Sequence, residues 1–217
     1  MRPLVEIARI LAYVCVVVSS GSCTPLGDPA ITSAPFVENF DRADLGPLWS
    51  NTGGNWRIID GKLHIQGARN HPLWLHRRLP RDVRIEFTVR SDSPAGDIKV
   101  EVFGDGVSSA RSESYTATSY VVIFGGWNNT LDVLARLDEH GADRVERRSR
   151  RVEMGRTYRF MIERRGGHIV AKVDGTVLVE MRDPDPLSGR GHDHFGFNDW
   201  DAALTFDDLR ITPLSAM

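Results

Sequence analysis

Along most of the chain, apolar and polar residues alternate in short runs, each closed by a turn signal. In Val83-Ile85-Phe87-Val89 the apolar side chains face one way, while Arg84, Glu86, Thr88 and Arg90 face the other. A period of two describes a strand with one face on a core and one in water. Ile98-Val100-Val102 repeats it, as do Leu131-Val133-Ala135-Leu137 and Tyr158-Phe160-Ile162. On this reading Glu86 and Glu101 occupy solvated strand faces. Tyr120 to Phe124, YVVIF, is apolar on both faces and is therefore expected at the centre of a sheet. No window from Phe36 onward keeps helical spacing for three turns, so the predicted class is all-β.

The turns carry equal weight. Asp60-Gly61 and Asp174-Gly175 each separate two alternating runs and suit two-residue hairpins whose central residues need positive φ. Near the end, Phe195 and Phe197 alternate with polar neighbours. In the following run Leu204 and Phe206 keep that spacing, but the next apolar residues are Leu209 and Ile211, so the parity slips at Asp207-Asp208. A β-bulge there returns both sets to the core. The run Phe36 to Phe40 is expected to pair with this closing strand. About a dozen strands without internal repeats, over about 180 residues, predict a two-sheet antiparallel jelly-roll sandwich covering residues 36–213.

The first residues read differently. Arg2 and Arg9 precede the apolar run Ile10 to Val18, and small residues then lead to Cys23. This is the layout of an exported protein's signal peptide over residues 1–22, too short for a stable membrane span. Gly21-Ser22-Cys23 resembles a bacterial lipoprotein cleavage site, which implies lipidation at Cys23 and membrane attachment in the cell envelope through that lipid alone. Ser20 and Glu6 depart from the usual lipoprotein pattern, and a plain secreted protein is the alternative. Once the leader with Cys15 is removed, Cys23 is the remaining thiol and no internal disulfide can form. Residues 23–35 contain three prolines and no periodicity, as expected of a tether.

With 217 residues, 41% hydrophobic and 26% charged, the chain has material for one sizeable core. A formal net charge of -2 argues against a nucleic-acid binder, which needs a basic excess to release phosphate counterions.

The run GRTYRFMIERRGGHIVAKVDGTVLV from Gly155 to Val179, with His194-Phe-Gly-Phe197 and Phe206 to Ile211, resembles the closing half of concanavalin A-like lectin/glucanase domains. Within that superfamily it is similar to laminin-G-like modules and to the 3-keto-disaccharide hydrolase domain. Phe40-Asp41, Trp49, Trp56 to Leu63 and Val83 to Phe87 resemble the opening half. These are motifs of layout, and they imply the fold rather than one activity. The resemblance implies carbohydrate as partner, and calcium as a candidate cofactor, for which Asp199, Asp201, Asp207 and Asp208 offer oxygens.

The glutamate-aspartate-glutamate run of the β-glucan hydrolases is missing from the sequence. Asp138-Glu139-His140 is the catalytic candidate, since His140 could act as a base held by a carboxylate; as Asp, His and Gly are turn formers, Asp138 to Gly141 also reads as a plain hairpin turn. His192 and His194, expected on one strand face, are a weak metal pair without a third ligand. Arg144, Arg147, Arg148, Arg150 and Arg151 read either as a site for acidic polysaccharide or lipid headgroups or as a solvated sheet edge that resists aggregation. The ligand-binding expectation rests on Trp74, Trp127 and Trp200, each on a turn beside amides or carboxylates. Aromatic plates meet a sugar's C-H face while planar polar groups take its hydroxyls. Asn128, Asp138, His140, His194 and Asn198 complete that set, and Trp49 and Trp56 are expected in the core. The leading reading is a surface-anchored carbohydrate-binding domain; the alternatives are a glycan-processing hydrolase or lyase, or a structural envelope protein.

Overall fold

The computed structural model describes residues 27–111 and 115–215; the leader and Cys23 lie outside the described residues. Among the described residues, fifteen strands, numbered in chain order, form two antiparallel sheets. The first sheet runs in the order β13 (Thr176–Arg182), β12 (His168–Val173), β11 (Thr157–Arg165), β6 (Val83–Ser91), β15 (Ala203–Pro213), β4 (Lys62–Gln66) and β3 (Arg57–Ile59), with β1 (Phe36–Glu38) also paired to β15. The second runs β10 (Val145–Arg147), β9 (Leu131–Arg136), β8 (Tyr120–Gly125), β7 (Ile98–Gly104), β14 (His194–Asn198), β5 (Leu73–Leu75) and β2 (Trp49–Asn51).

Local chemistry explains the connections. Asp60 and Gly61 have φ of 50° and 70°, and Asp174 and Gly175 have 51° and 80°, so both dipeptides close the expected tight hairpins. On β15 the register shifts between Asp207 and Arg210, with Asp208 at φ 54°. Leu204, Phe206, Leu209 and Ile211 are consequently all buried. β1 pairs with β15, Phe36 opposite Ile211, which ties the start of the sandwich to its end.

Both sheets press alternate side chains into a common core. Phe87 of β6 stacks on Phe160 of β11 at 5.1 Å between centroids, and Phe197 of β14 meets Phe206 of β15 at 4.4 Å, joining the two layers. Burial of each such ring contributes about 1.5–3 kcal/mol. Trp49 and Trp56 belong to this core, with indole N–H groups satisfied by Glu38 and by the His71 carbonyl. β8 is buried on both faces in the interior of its sheet.

Two features differ from the sequence reading. Part of the stretch read as a tether packs onto the sandwich: Ile31 is buried in the core, its N–H donates to the Arg78 carbonyl, and Asp28 accepts from His76 and His194. Glu101, expected in water, is fully buried. Its strand lies beside β8, whose second face is also apolar, and together they floor a cleft rather than an open surface.

Candidate functional site

The register of the second sheet builds that cleft. On the face turned away from the core, cross-strand neighbours run Trp74, Gly196, Glu101, Val121 and Ala135 in one row. The next row is Asn198, Lys99, Ile123 and Val133. Val121, Ile123, Leu131, Val133 and Ala135 make an apolar strip against which Tyr115 and Trp127 pack. Over the polar half lies a cavity of about 770 Å³, within the usual range of ligand pockets.

Three turns wall the cavity. The first follows β8, where Gly125 has φ 72° and Trp127, Asn128 and Asn129 follow at 49°, 57° and 62°. A left-handed conformation in three successive non-glycine residues costs about 1–2 kcal/mol each. Asn129 offsets it: its amide donates to the carbonyls of Val152 and Pro94 and accepts from Val152 N–H. Thr130 closes the turn onto Gly126 and Trp127 carbonyls. A Cβ on Gly125 would lie 2.6 Å from Asn129 Oδ1, so glycine is required there. The Trp127 ring is thereby held over the strip, edge to face with His140 at 5.4 Å and with the Arg144 guanidinium 4.9 Å from its centroid.

The second turn, between β9 and β10, supplies Asp138, Glu139 and His140. Asp138 Oδ1 accepts the His140 N–H, and Glu139 Oε2 lies 2.8 Å from Lys99 Nζ. The third, between β14 and β15, carries Trp200, 40% exposed, whose backbone N–H donates to Asp97 Oδ2.

Below the cavity runs a buried polar network. Lys99 Nζ donates to Asn70 Oδ1 as well as pairing with Glu139. Glu101 accepts from Ser119 Oγ, Tyr115 hydroxyl and Asn198 Nδ2 at 2.6, 3.2 and 2.7 Å. Burial nevertheless pushes the Glu101 carboxyl up to about 7, against those hydrogen bonds and the Lys99 charge. Burial also raises Asp199 to about 7, with the neighbouring Asp97 charge adding to the effect, and raises Asp97 itself. Burial works against the Lys99 ammonium, but Asp97 and Glu139 outweigh it and hold its pKa above the usual lysine value.

The cavity therefore brings together Trp127, Asn128, Asp138, Glu139, His140 and Trp200 from the sequence-derived set. It does not include three others. Trp74 is fully buried on the same sheet face, wedged between Gly104 and Gly196 with its indole N–H on the Ser108 carbonyl; its turn contributes Asn70 to the cavity instead. Asn198 lies beneath the cavity and orients Glu101. His194 sits between Asp28 and Asp193, remote from the lining residues, because β14 delivers it to the docked N-terminal segment. His192 precedes β14 and contacts the Thr118 carbonyl, so the two histidines do not share a strand face.

The four calcium candidates are likewise divided. Asp207 pairs with Lys62 and Asp208 accepts from Thr88 on the first sheet, while both Asp199 oxygens receive backbone N–H groups of Gly67, Ala68 and Ala202. Among the described residues, no three His, Cys, Asp or Glu side chains are grouped to hold a metal ion. The arginine run is partly spoken for, since Arg144 covers Trp127 and Arg150 lies over Phe124 and Tyr158. Arg147, Arg148 and Arg151 remain exposed along or just beyond edge strand β10.

Asp97, Lys99, Glu101 and Tyr115 were not among the candidates. The available signal was Lys99 and Glu101 on a strand neighbouring one that is apolar on both faces, a place where charges belong only if the shared face is a cleft.

This sandwich has the fold of concanavalin A-like lectins and glucanases. Among solved structures it is similar to the carbohydrate binding module CBM66 from Bacillus subtilis, at 14% identity over 76% of this chain and 95% of that one, with a TM-score of 0.58. A β-1,3-1,4-glucanase (lichenase) from a mouse hindgut metagenome aligns at 12% identity over 83% and 99%, TM-score 0.59. The Emp46p carbohydrate recognition domain aligns at 10% identity over 82% and 95%, TM-score 0.59. Identities this low carry the fold alone. No protein-family model matches the sequence, and no curated protein matches it either.

Proposed function

We propose that this protein is a carbohydrate-binding domain whose cavity on the second sheet receives an oligosaccharide. The observation that carries the reading is the convergence of Trp127, Asn128, Asp138, His140 and Trp200, from three separate turns, on one cavity of about 770 Å³. An indole beside planar amide and carboxylate groups matches the alternating C-H and hydroxyl faces of a sugar. The structural neighbours named as carbohydrate binding and recognition domains support this direction. A glycan panel titrated against the full chain by tryptophan fluorescence tests it. Binding that is lost in Trp127→Ala and Trp200→Ala is the expected result; no response, or unchanged binding in both variants, removes the assignment.

A catalytic role is the second reading, favoured by Glu139 at the cavity wall against Lys99. Turnover of oligosaccharides that disappears in Glu139→Gln would support it. We further propose export through the 1–22 leader and lipid attachment at Cys23, giving a domain held on a cell-envelope membrane. Labelled fatty acid incorporated by the wild type and not by Cys23→Ala is the expected result.

A further inference from the structure

We propose that the cavity prefers glycans bearing protonated amines, such as glucosamine oligosaccharides, to neutral ones, and rejects those bearing carboxylate or sulfate. This rests on the carbohydrate reading of the same cavity and specifies its ligand class.

The lining supplies four carboxyl groups, Asp97, Asp138, Glu139 and Asp201, and among the described residues Lys99 is its one lysine or arginine. Lys99 cannot serve an anionic ligand. It is 2% exposed, and its ammonium is engaged by Glu139 Oε2 at 2.8 Å and Asn70 Oδ1 at 3.0 Å. Of the flanking guanidinium groups, Arg144 holds Glu146 and the Glu139 carbonyl, and the exposed Arg69 lies outside the lining, 3.7 Å from Asp201. The remaining titratable groups at the wall are His140, exposed at the rim, and Tyr115, whose phenol is tied to Glu101.

The acids, by contrast, keep acceptor capacity. Among the described residues no hydrogen bond reaches Asp138 Oδ2 or Glu139 Oε1; His140 Nε2 lies 3.7 Å from the latter. A carboxylate or sulfate entering this space would meet like charge and, among the described lining residues, no unpaired lysine or arginine, whereas an ammonium gains charge-assisted hydrogen bonds.

Isothermal titration of the full chain at low salt tests the proposal with three oligomers of equal length: glucosamine, N-acetylglucosamine and galacturonate. The glucosamine oligomer should bind about tenfold more tightly than the acetylated one, a difference of about 1.4 kcal/mol. That advantage should shrink in Asp138→Asn and Glu139→Gln and in high salt, and the galacturonate oligomer should not bind. Asp138→Asn keeps the oxygen that receives the His140 N–H, so it reads the charge even if Glu139→Gln loosens Lys99. Equal affinity for the amine and acetylated oligomers, or Trp127-dependent binding of galacturonate, overturns the preference and leaves the carbohydrate reading standing. Absence of binding by all three oligomers also overturns the amine preference, and the carbohydrate reading falls with it only if the glycan panel is silent as well.

Discussion

Asn129 and Val152 exchange two hydrogen bonds, Nδ2 to carbonyl at 2.8 Å and backbone N–H to Oδ1 at 2.7 Å, and so clamp the turn that carries Trp127. The turn is left-handed through three residues, so its conformation persists only while something outside it compensates. Asn129→Ala removes that compensation and leaves a buried N–H and two carbonyls without partners. A loss of about 2–3 kcal/mol in unfolding stability is expected. The near-ultraviolet circular dichroism of Trp127 should change as well, and a variant with wild-type stability and spectrum would dispose of the clamp.

Lys99 leads to a second expectation. It is the cation enclosed among Asp97, Glu101 and Glu139, so Lys99→Met strands buried negative charge and should cost about 3–5 kcal/mol by chemical denaturation. The double variant Lys99→Met with Glu139→Gln should recover part of that loss. Additive effects would show that the pair is not coupled.

The raised carboxyls set a pH dependence. Glu101 ionises at about 7 in the folded chain against 4.5 as its ordinary value, so folding favours its protonated form. That contribution is complete below about pH 4.5 and is lost as pH rises through 7. Melting temperature should therefore fall between about pH 5 and pH 8. Glu101→Gln should flatten the slope without abolishing it, because Asp199 is shifted in the same direction.

Asp28 has the opposite sign. Burial raises it, but hydrogen bonds from His76 and His194 outweigh this and hold it below the usual aspartate value. Its contribution is present above about pH 3.8 and is lost as pH falls below that. Asp28→Asn should speed amide exchange at Ile31 and Arg78 near neutral pH with little change in exchange across the β6–β11 pairing. Unaltered exchange at Ile31 would mean that the segment is held by its backbone bonds to Arg78 alone.

What the sequence made legible follows from where its information is local. The Asp60-Gly61 and Asp174-Gly175 hairpins and the Asp207-Asp208 bulge are written in adjacent residues, and the structure has them where the pattern put them. The cavity is assembled from residues as distant as Asn70 and Trp200, which sheet order alone brings together. Trp127 and Trp200 were recognisable because a large ring on a turn has few packing partners nearby. Trp74 looked the same, yet two glycines on neighbouring strands, invisible to its local context, open the slot that buries it. Glu101 was read as solvated because period two distinguishes two faces of a strand but not open water from a cleft.

The Trp74 slot also constrains how this chain can vary. A Cβ on Gly196 would sit 2.8 Å from the indole and one on Gly104 2.4 Å from it, both inside any real contact distance. Gly196→Ala alone should cost about 1–3 kcal/mol through overpacking, and pairing it with Trp74→Phe should return part of that, as thermal melts of the three variants would show. In related sequences the three positions should then covary, a bulky aromatic at the first tolerated only where both partners stay glycine. The volume of one indole is in this sense shared property of three strands, and a lineage can exchange it only by passing through a double substitution.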